Sequence, residues 1–291
     1  MKKIFIILLI VVLLTISILF GLSFLIPVEK GSKNISTNRI KLYPPSELSI
    51  ADFCYLDNTF YFVFSNSSKI YKLDGDSIKA QFGEYGVGGL KFRSPRRIKH
   101  FDNKLFISDV ENLQVQAIDT VGKFLGSYPK REPSDFLFLS EKEKDVSLRD
   151  FFINNDYFGL CFGEYYKQKV AIYHRSDQKA IIIDKNFLLI SAVDFDYKSQ
   201  KVFVADASAY TIYTYNTNGK LLHSIGKQGE INYYFDRIED ITLLNDKLYV
   251  LNVYVSDSGK KKGYGIIHVF DTSLNLLSII GKEESLFLPK A

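Results

Sequence analysis

Residues 83–128 read GEYGVGGLKFRSPRRIKHFDNKLFISDVENLQVQAIDTVGKFLGSY, and their punctuation decides the fold. Gly86–Gly89 and Pro95 mark the entry. Arg96–Phe101 and Lys104–Asp109 then form two apolar-alternating runs separated by Asp102-Asn103, a pair suited to a tight hairpin turn because both residues tolerate positive φ. Val110–Asn112 makes the next turn, Leu113–Asp119 a third strand, and Gly122 opens a fourth at Lys123–Tyr128. Ile98, Leu105, Ile107 and Val115 recur with the period of a strand, not of a helix. The stretch is one four-stranded antiparallel unit.

The unit repeats. With Phe53, Ile98, Phe151, Phe195 and Ile241 in one column, the first turn falls at Asp57-Asn58, Asp102-Asn103, Asn155-Asp156, Ser199-Gln200 and Asn245-Asp246. Seven residues beyond each anchor stand Phe60, Leu105, Phe158, Val202 and Leu248; nine beyond stand Phe62, Ile107, Leu160, Val204 and Val250. The anchors are spaced by 45, 53, 44 and 46 residues, within the range of propeller blades. The expected fold is an all-β propeller of four-stranded blades at about 48–83, 92–128, 147–184, 190–226 and 236–281, five repeats being visible. A sixth would need the tether or residues beyond Ala291, although Phe287–Pro289 reads like the opening of one; five- and six-bladed rings both remain open.

Ahead of the 48–291 propeller domain, Ile4–Val28 carries no charge over 25 residues. As a helix it would span about 37 Å at ~1.5 Å per residue, enough to cross a bilayer. Lys2 and Lys3 precede it, which puts the N-terminus in the cytoplasm and everything after Glu29 outside. Segment 1–28 is therefore expected to be a transmembrane signal-anchor, preferred over a cleaved signal peptide for its length and want of an Ala-x-Ala site. Residues 29–47 form a polar tether. The expected location is the cell membrane, single-pass, with the C-terminal domain extracytoplasmic, in the periplasm or outside the cell. The net charge of +4 includes both leader lysines, so no basic footprint for nucleic acid remains. Cys54 and Cys161 fall in different repeats and should be buried free thiols rather than a disulfide.

Leu105–Asp119, with Asp109, Asn112, Val115, Ile118 and Asp119 followed by Gly122, resembles the NHL-type repeat. The joins Phe82–Gly89 and Ile225–Glu230 are similar to the Gly-rich joins of bacterial exported six-bladed β-propeller proteins. The resemblance covers roughly residues 48–282 and implies an extracytoplasmic propeller, in a class that also includes lyases and lactonases. Blade four departs from it, with Ala209 where the repeat favours Asn.

In such a blade the second-to-third-strand loops and the blade joins share one face, and the longer segments all fall there. Binding residues concentrate on loops of this kind. The residue before each anchor is Asp52, Arg97, Asp150, Asp194 or Asp240, a column expected to ring the channel mouth as a ligand-binding set. One reading is a cation held by convergent carboxylates, with oxygen ligands that suit Ca²⁺. The preferred reading is that each carboxylate accepts backbone N–H groups of the neighbouring blade join, since a repeated residue serves the repeat. No cofactor is otherwise expected and no catalytic residue is nominated; the four histidines lack metal-ligand spacing. Arg96 is expected opposite Asp109 as a cross-strand ion pair. Tyr165, Tyr166, Tyr233, Tyr234, Tyr254 and Tyr264 crowd the loop face as candidate recognition residues. The function these features favour is a membrane-tethered binding or scaffolding module for a partner protein or extracellular ligand. The alternative is a lyase- or lactonase-like enzyme with a cation site at the channel mouth.

Overall fold

The computed structural model describes residues 49–74, 77–128, 147–176, 179–229, 234–254, 264–280 and 286–287. The anchor segment 1–28, the tether 29–47, residue 48 of the propeller domain and Tyr233 lie outside the described residues. Among the described residues no helix is long and apolar enough to cross a membrane.

Five four-stranded antiparallel sheets follow one another along the chain. Blade 1 is β1 (Ile50–Leu56), β2 (Thr59–Phe64), β3 (Ile70–Asp74) and β4 (Ser77–Phe82). The short strands β5 (Glu84–Tyr85) and β6 (Lys91–Phe92) pair in parallel in the join that follows. Blade 2 is β7 (Pro95–Phe101), β8 (Lys104–Asp109), β9 (Gln114–Asp119) and β10 (Phe124–Tyr128). Blade 3 is β11 (Ser147–Ile153), β12 (Tyr157–Gly163), β13 (Lys169–His174) and β14 (Ala180–Ile182). Blade 4 is β15 (Ile190–Asp196), β16 (Lys201–Asp206), β17 (Thr211–Asn216) and β18 (Leu221–Ile225), and its join carries β19 (Lys227–Gln228) parallel to β20 (Tyr234–Phe235). Blade 5 is β21 (Ile238–Leu244), β22 (Lys247–Tyr254), β23 (Tyr264–Asp271) and β24 (Leu276–Ile280). Residues 286–287 form β25 (Leu286–Phe287), which pairs with β23. That segment extends blade 5 instead of opening a sixth sheet. Each blade is contiguous in sequence, and among the described residues no strand is exchanged between blades 5 and 1.

The expected hairpins form where both turn residues take positive φ: Asp57 and Asn58 (50° and 58°), Asp102 and Asn103 (50° and 53°), Asn245 and Asp246 (49° and 61°). This geometry matches the right-handed twist of the flanking strands. Blade 4 differs. Asp196 pairs with Lys201, leaving a four-residue turn, Tyr197–Gln200, in place of two. The Asp196 carboxylate holds it, accepting from the Lys198 N–H at 3.0 Å and the Ser199 hydroxyl at 2.5 Å. The consequence is a shift of two residues. Phe53, Ile98, Phe151 and Ile241 face Phe62, Ile107, Leu160 and Val250, but in blade 4 it is Val193 that faces Val204. The anchor there is Val193 rather than Phe195, and the inward or outward sense of every side chain is kept.

Apolar faces pack between neighbouring blades. Cys54 and Val63 of blade 1 meet Ile98 and Ile107 of blade 2; Phe106 and Val115 meet Phe151 and Leu160 of blade 3. Phe152 and Val170 meet Val193 and Val204 of blade 4, and Phe203 and Ile212 meet Ile241 and Val250 of blade 5. Each fully buried large side chain contributes ~1.5–3 kcal/mol. Cys54 and Cys161 are buried free thiols, and burial pushes both well above the usual thiol range. Two joins turn on a glycine that faces an aromatic nine residues on. Gly83 and Gly226 have φ of +102° and +120°, and a Cβ on either would lie 2.9 Å from the ring of Phe92 or Phe235. Both rings are fully buried. Side chains ending the second strands fix the joins: Asp206 accepts from Leu188 and Leu189 N–H, and Asn252 from Asp236 and Arg237 N–H.

Candidate functional site

The innermost strands β1, β7, β11, β15 and β21 line the channel, and each carries a β-bulge near its start. The bulged residues are Ala51, Arg96, Arg149, Ser191 and Glu239. A bulge unpairs one residue and re-aims its side chain. It also overturns the expected Arg96–Asp109 pair. Asp109 faces Pro95, and its carboxylate takes the N–H groups of Arg93 and Ser94 at 3.1 and 3.0 Å and the Asn112 amide at 2.6 Å.

The column beside the bulges is a set of clamps, though the amides that Asp52, Asp150 and Asp194 hold across blades lie in innermost strands and not in the expected blade joins. Asp52 accepts from the following N–H, Phe53, at 2.9 Å and from Ile98 N–H on blade 2 at 3.0 Å. Asp150 accepts from Val193 N–H on blade 4 at 2.8 Å. Asp194 accepts from Phe195 N–H at 2.8 Å and from Leu243 N–H on blade 5 at 2.6 Å. The turn shift places Ala192 in the Asp52 column and Asp194 one layer deeper, level with Lys99. That explains why Asp194 reaches Leu243, two residues past the anchor. Asp240 accepts from Ile241 N–H at 2.9 Å, but its second oxygen meets Arg97 at 3.5 Å rather than an amide of blade 1.

Two cations answer these carboxylates. Arg97 reaches across the channel, from blade 2 to Asp240 on blade 5 and to the Ser191 carbonyl on blade 4 at 2.8 Å. Lys99 donates to Asp150 at 3.1 Å and to the Val193 carbonyl at 3.0 Å, with its ammonium over the Phe151 ring. Lys99 was not a candidate on sequence grounds, although its place two residues beyond Arg97 on a strand puts both on one face. Arg149 and Glu239 were missed because a bulge leaves no mark in an apolar alternation.

Burial raises the Asp52 carboxyl to about 7, against Arg97 and with Asp240 adding to the rise. Burial likewise raises Asp194 and Asp240 despite Lys99 and Arg97. For Arg97 and Lys99 burial works against the charge, but the surrounding carboxylates outweigh it and both are raised. A cavity of about 300 Å³ opens here between blades 1, 2 and 5, lined by Asp52, Arg96, Arg97, Glu239 and Asp240 among others. Among the described residues no group of three or more His, Cys, Asp or Glu side chains is placed to hold a metal ion. The carboxylates are engaged with backbone and cations, and this donor set does not fit a dedicated Ca²⁺ site.

On the same face, Tyr165 and Tyr166 are exposed and meet edge to face at 4.1 Å. Tyr166 N–H donates to the Leu188 carbonyl, and the Tyr165 hydroxyl lies 3.4 Å from Ser208. Loops of blades 3 and 4 and their join therefore do share a face. Tyr254 is 5% exposed, a core residue of β22. Tyr234 and Tyr264 enter as strand positions in β20 and β23.

Repeat, ring and channel define a five-bladed β-propeller. No protein-family model matches the chain, and no curated protein does. Solved structures share the fold. Regucalcin, a calcium-binding protein of Agrobacterium tumefaciens strain C58, is 9% identical with TM-score 0.51 over 79% of this chain and 73% of that one. A member of the DUF4221 family from Bacteroides vulgatus is 10% identical with TM-score 0.50, over 78% and 79%. A chain of the nidogen/laminin complex is 12% identical with TM-score 0.53, over 81% of each. At these identities the likeness carries the fold alone.

Proposed function

We propose that this chain is a binding or scaffolding module, an NHL-like propeller tethered to a membrane by segment 1–28 and holding a partner protein or ligand through its loop face outside the cytoplasm. The observation that carries the reading is the pairing, on one face, of the channel-mouth cavity with the exposed Tyr165–Tyr166 pair. A rigid ring beneath and low-entropy aromatic area above are what a recognition surface uses. The NHL-type kinship is supported by the Asn112 amide, which bridges the Asp109 carboxylate and the Gly86 carbonyl and so ties the repeat to its join. The tether rests on the uncharged run Ile4–Val28 behind Lys2 and Lys3. Enzymatic cation chemistry, the other reading, has no such support: each carboxylate it needs is already bonded to a backbone amide or a cationic side chain, and the likeness to regucalcin is one of fold.

A photo-crosslinking residue at Tyr165 is expected to give a discrete adduct in intact cells, while one at Asn103, on the opposite face, gives none. Equal yields from both faces, or none from either, would overturn the reading. Alkaline washing should leave the chain with the membranes. Calorimetric titration with Ca²⁺ should give no heat that an Asp194→Ala/Asp240→Ala pair removes.

A further inference from the structure

Three arginines, Arg96, Arg97 and Arg149, lie close enough at the channel mouth to repel one another. Arg97 is spent on Asp240 and the Ser191 carbonyl, yet its Nε is buried with no acceptor among the described residues. Arg149 Nε is buried and unpaired in the same way. Arg96 is exposed, lines the cavity, and forms no ion pair among the described residues. Glu239 is paired with Arg237, Asp240 with Arg97, and Asp150 with Lys99 through Oδ2, its Oδ1 being buried without a hydrogen-bond partner among the described residues. Buried donors without acceptors are costly, and a guanidinium presents a planar fork matched to carboxylate or phosphate. The bulges of blades 2 and 3 set Arg96 and Arg149 at equivalent positions of adjacent blades.

We propose that this cavity takes a small ligand bearing an oxyanion, a carboxylate or a phosphate, with Arg96, on the cavity wall, holding the charged end. The inference rests on the binding-module reading and names the ligand class of the same site. At about 300 Å³, the cavity stands at the lower end of small-molecule sites, which suits a monosaccharide-sized ligand. Although Arg96 keeps solvent-exposed surface, desolvation by the cavity wall and the like charges of Arg97 and Arg149 lower its pKa, a crowding that a bound anion relieves.

Calorimetry on the full chain in non-ionic detergent, with glucose, glucuronate and glucose 6-phosphate, tests this. One or both acids should bind saturably and glucose should not; which acid binds identifies carboxylate or phosphate. Arg96→Gln should weaken that binding at least ~10-fold with an unchanged melting temperature, and Arg96→Lys should restore part of it. No saturable binding of either acid, glucose binding as well as the acids, or an Arg96→Gln affinity equal to wild type would overturn the proposal. If the acids fail while the Tyr165 adduct persists, the ligand class alone is lost; if both fail, the module reading goes with it.

Discussion

Asp52 gives the channel its sharpest response to pH. Its folded carboxyl titrates at about 7, against 3.8 for an unperturbed one. Between these values the folded chain holds a proton that the unfolded chain has released, so stability falls as pH rises through the interval and levels off above about 7. Asp52→Asn removes this loss while keeping an acceptor for the backbone. Its stability relative to wild type should improve from pH about 4 to about 8, by at most ~4 kcal/mol at ~1.36 kcal/mol per pH unit. Denaturant melts across that range measure it, and a difference independent of pH would contradict the assignment. Lys99 poses the opposite problem. Its partner Asp150 has no exposed surface, so Lys99→Met leaves an uncompensated buried carboxylate and should cost ~3–5 kcal/mol. Lys99→Met/Asp150→Asn should recover much of that in a double-mutant cycle. The inward sense of Asp52, Arg97 and Asp150 was legible from strand alternation alone. Their partners were not, because hydrogen bonds across blades depend on a register that no single repeat encodes.

At the scale of elements, the joins show how far a sequence pattern reaches. Glycines at 86, 88 and 89 announced a break in the strands, but what holds that break is Gln116, a fully buried residue of β9. Its amide accepts from Leu90 N–H at 2.9 Å and donates to the carbonyls of Gly88 and Lys91 at 3.2 and 2.6 Å. Gln116→Ala should release the join without unfolding the ring, at ~1–3 kcal/mol; hydrogen exchange should accelerate at Leu90 and stay slow in β8. Four of the five anchors were readable because their hairpins leave the register whole. The fifth slipped by two residues because Asp196 and Ser199 build a longer turn, while Val193 and Phe195 satisfy the same alternation. Arg96 went to the wrong partner for a related reason: a bulge breaks the count between opposite residues without disturbing apolar order.

For the whole molecule, repetition was enough to fix the architecture, since five copies of one sheet can bury their faces only against one another. The closing of the ring was not legible, because the column that stitches blades 1 to 2, 3 to 4 and 4 to 5 changes character at Arg97 and Asp240. Arg97 binds blades 2, 4 and 5 through a single side chain. Arg97→Met strands the Ser191 carbonyl and the partly buried Asp240, and should lower stability by ~3 kcal/mol, with a broader denaturation transition as the blades lose a common link. The cavity lies where the first and last blades meet, walled by Asp52 and Phe53 on one side and by Glu239, Asp240 and Leu251 on the other. A ring whose ends are not laced by a common strand is a clasp rather than a hoop, and an occupant lodged there would act as its keystone. Loading the mouth should then slow the breathing of β1 and β21 together, so that recognition on the rim is felt as stiffness around the entire circle.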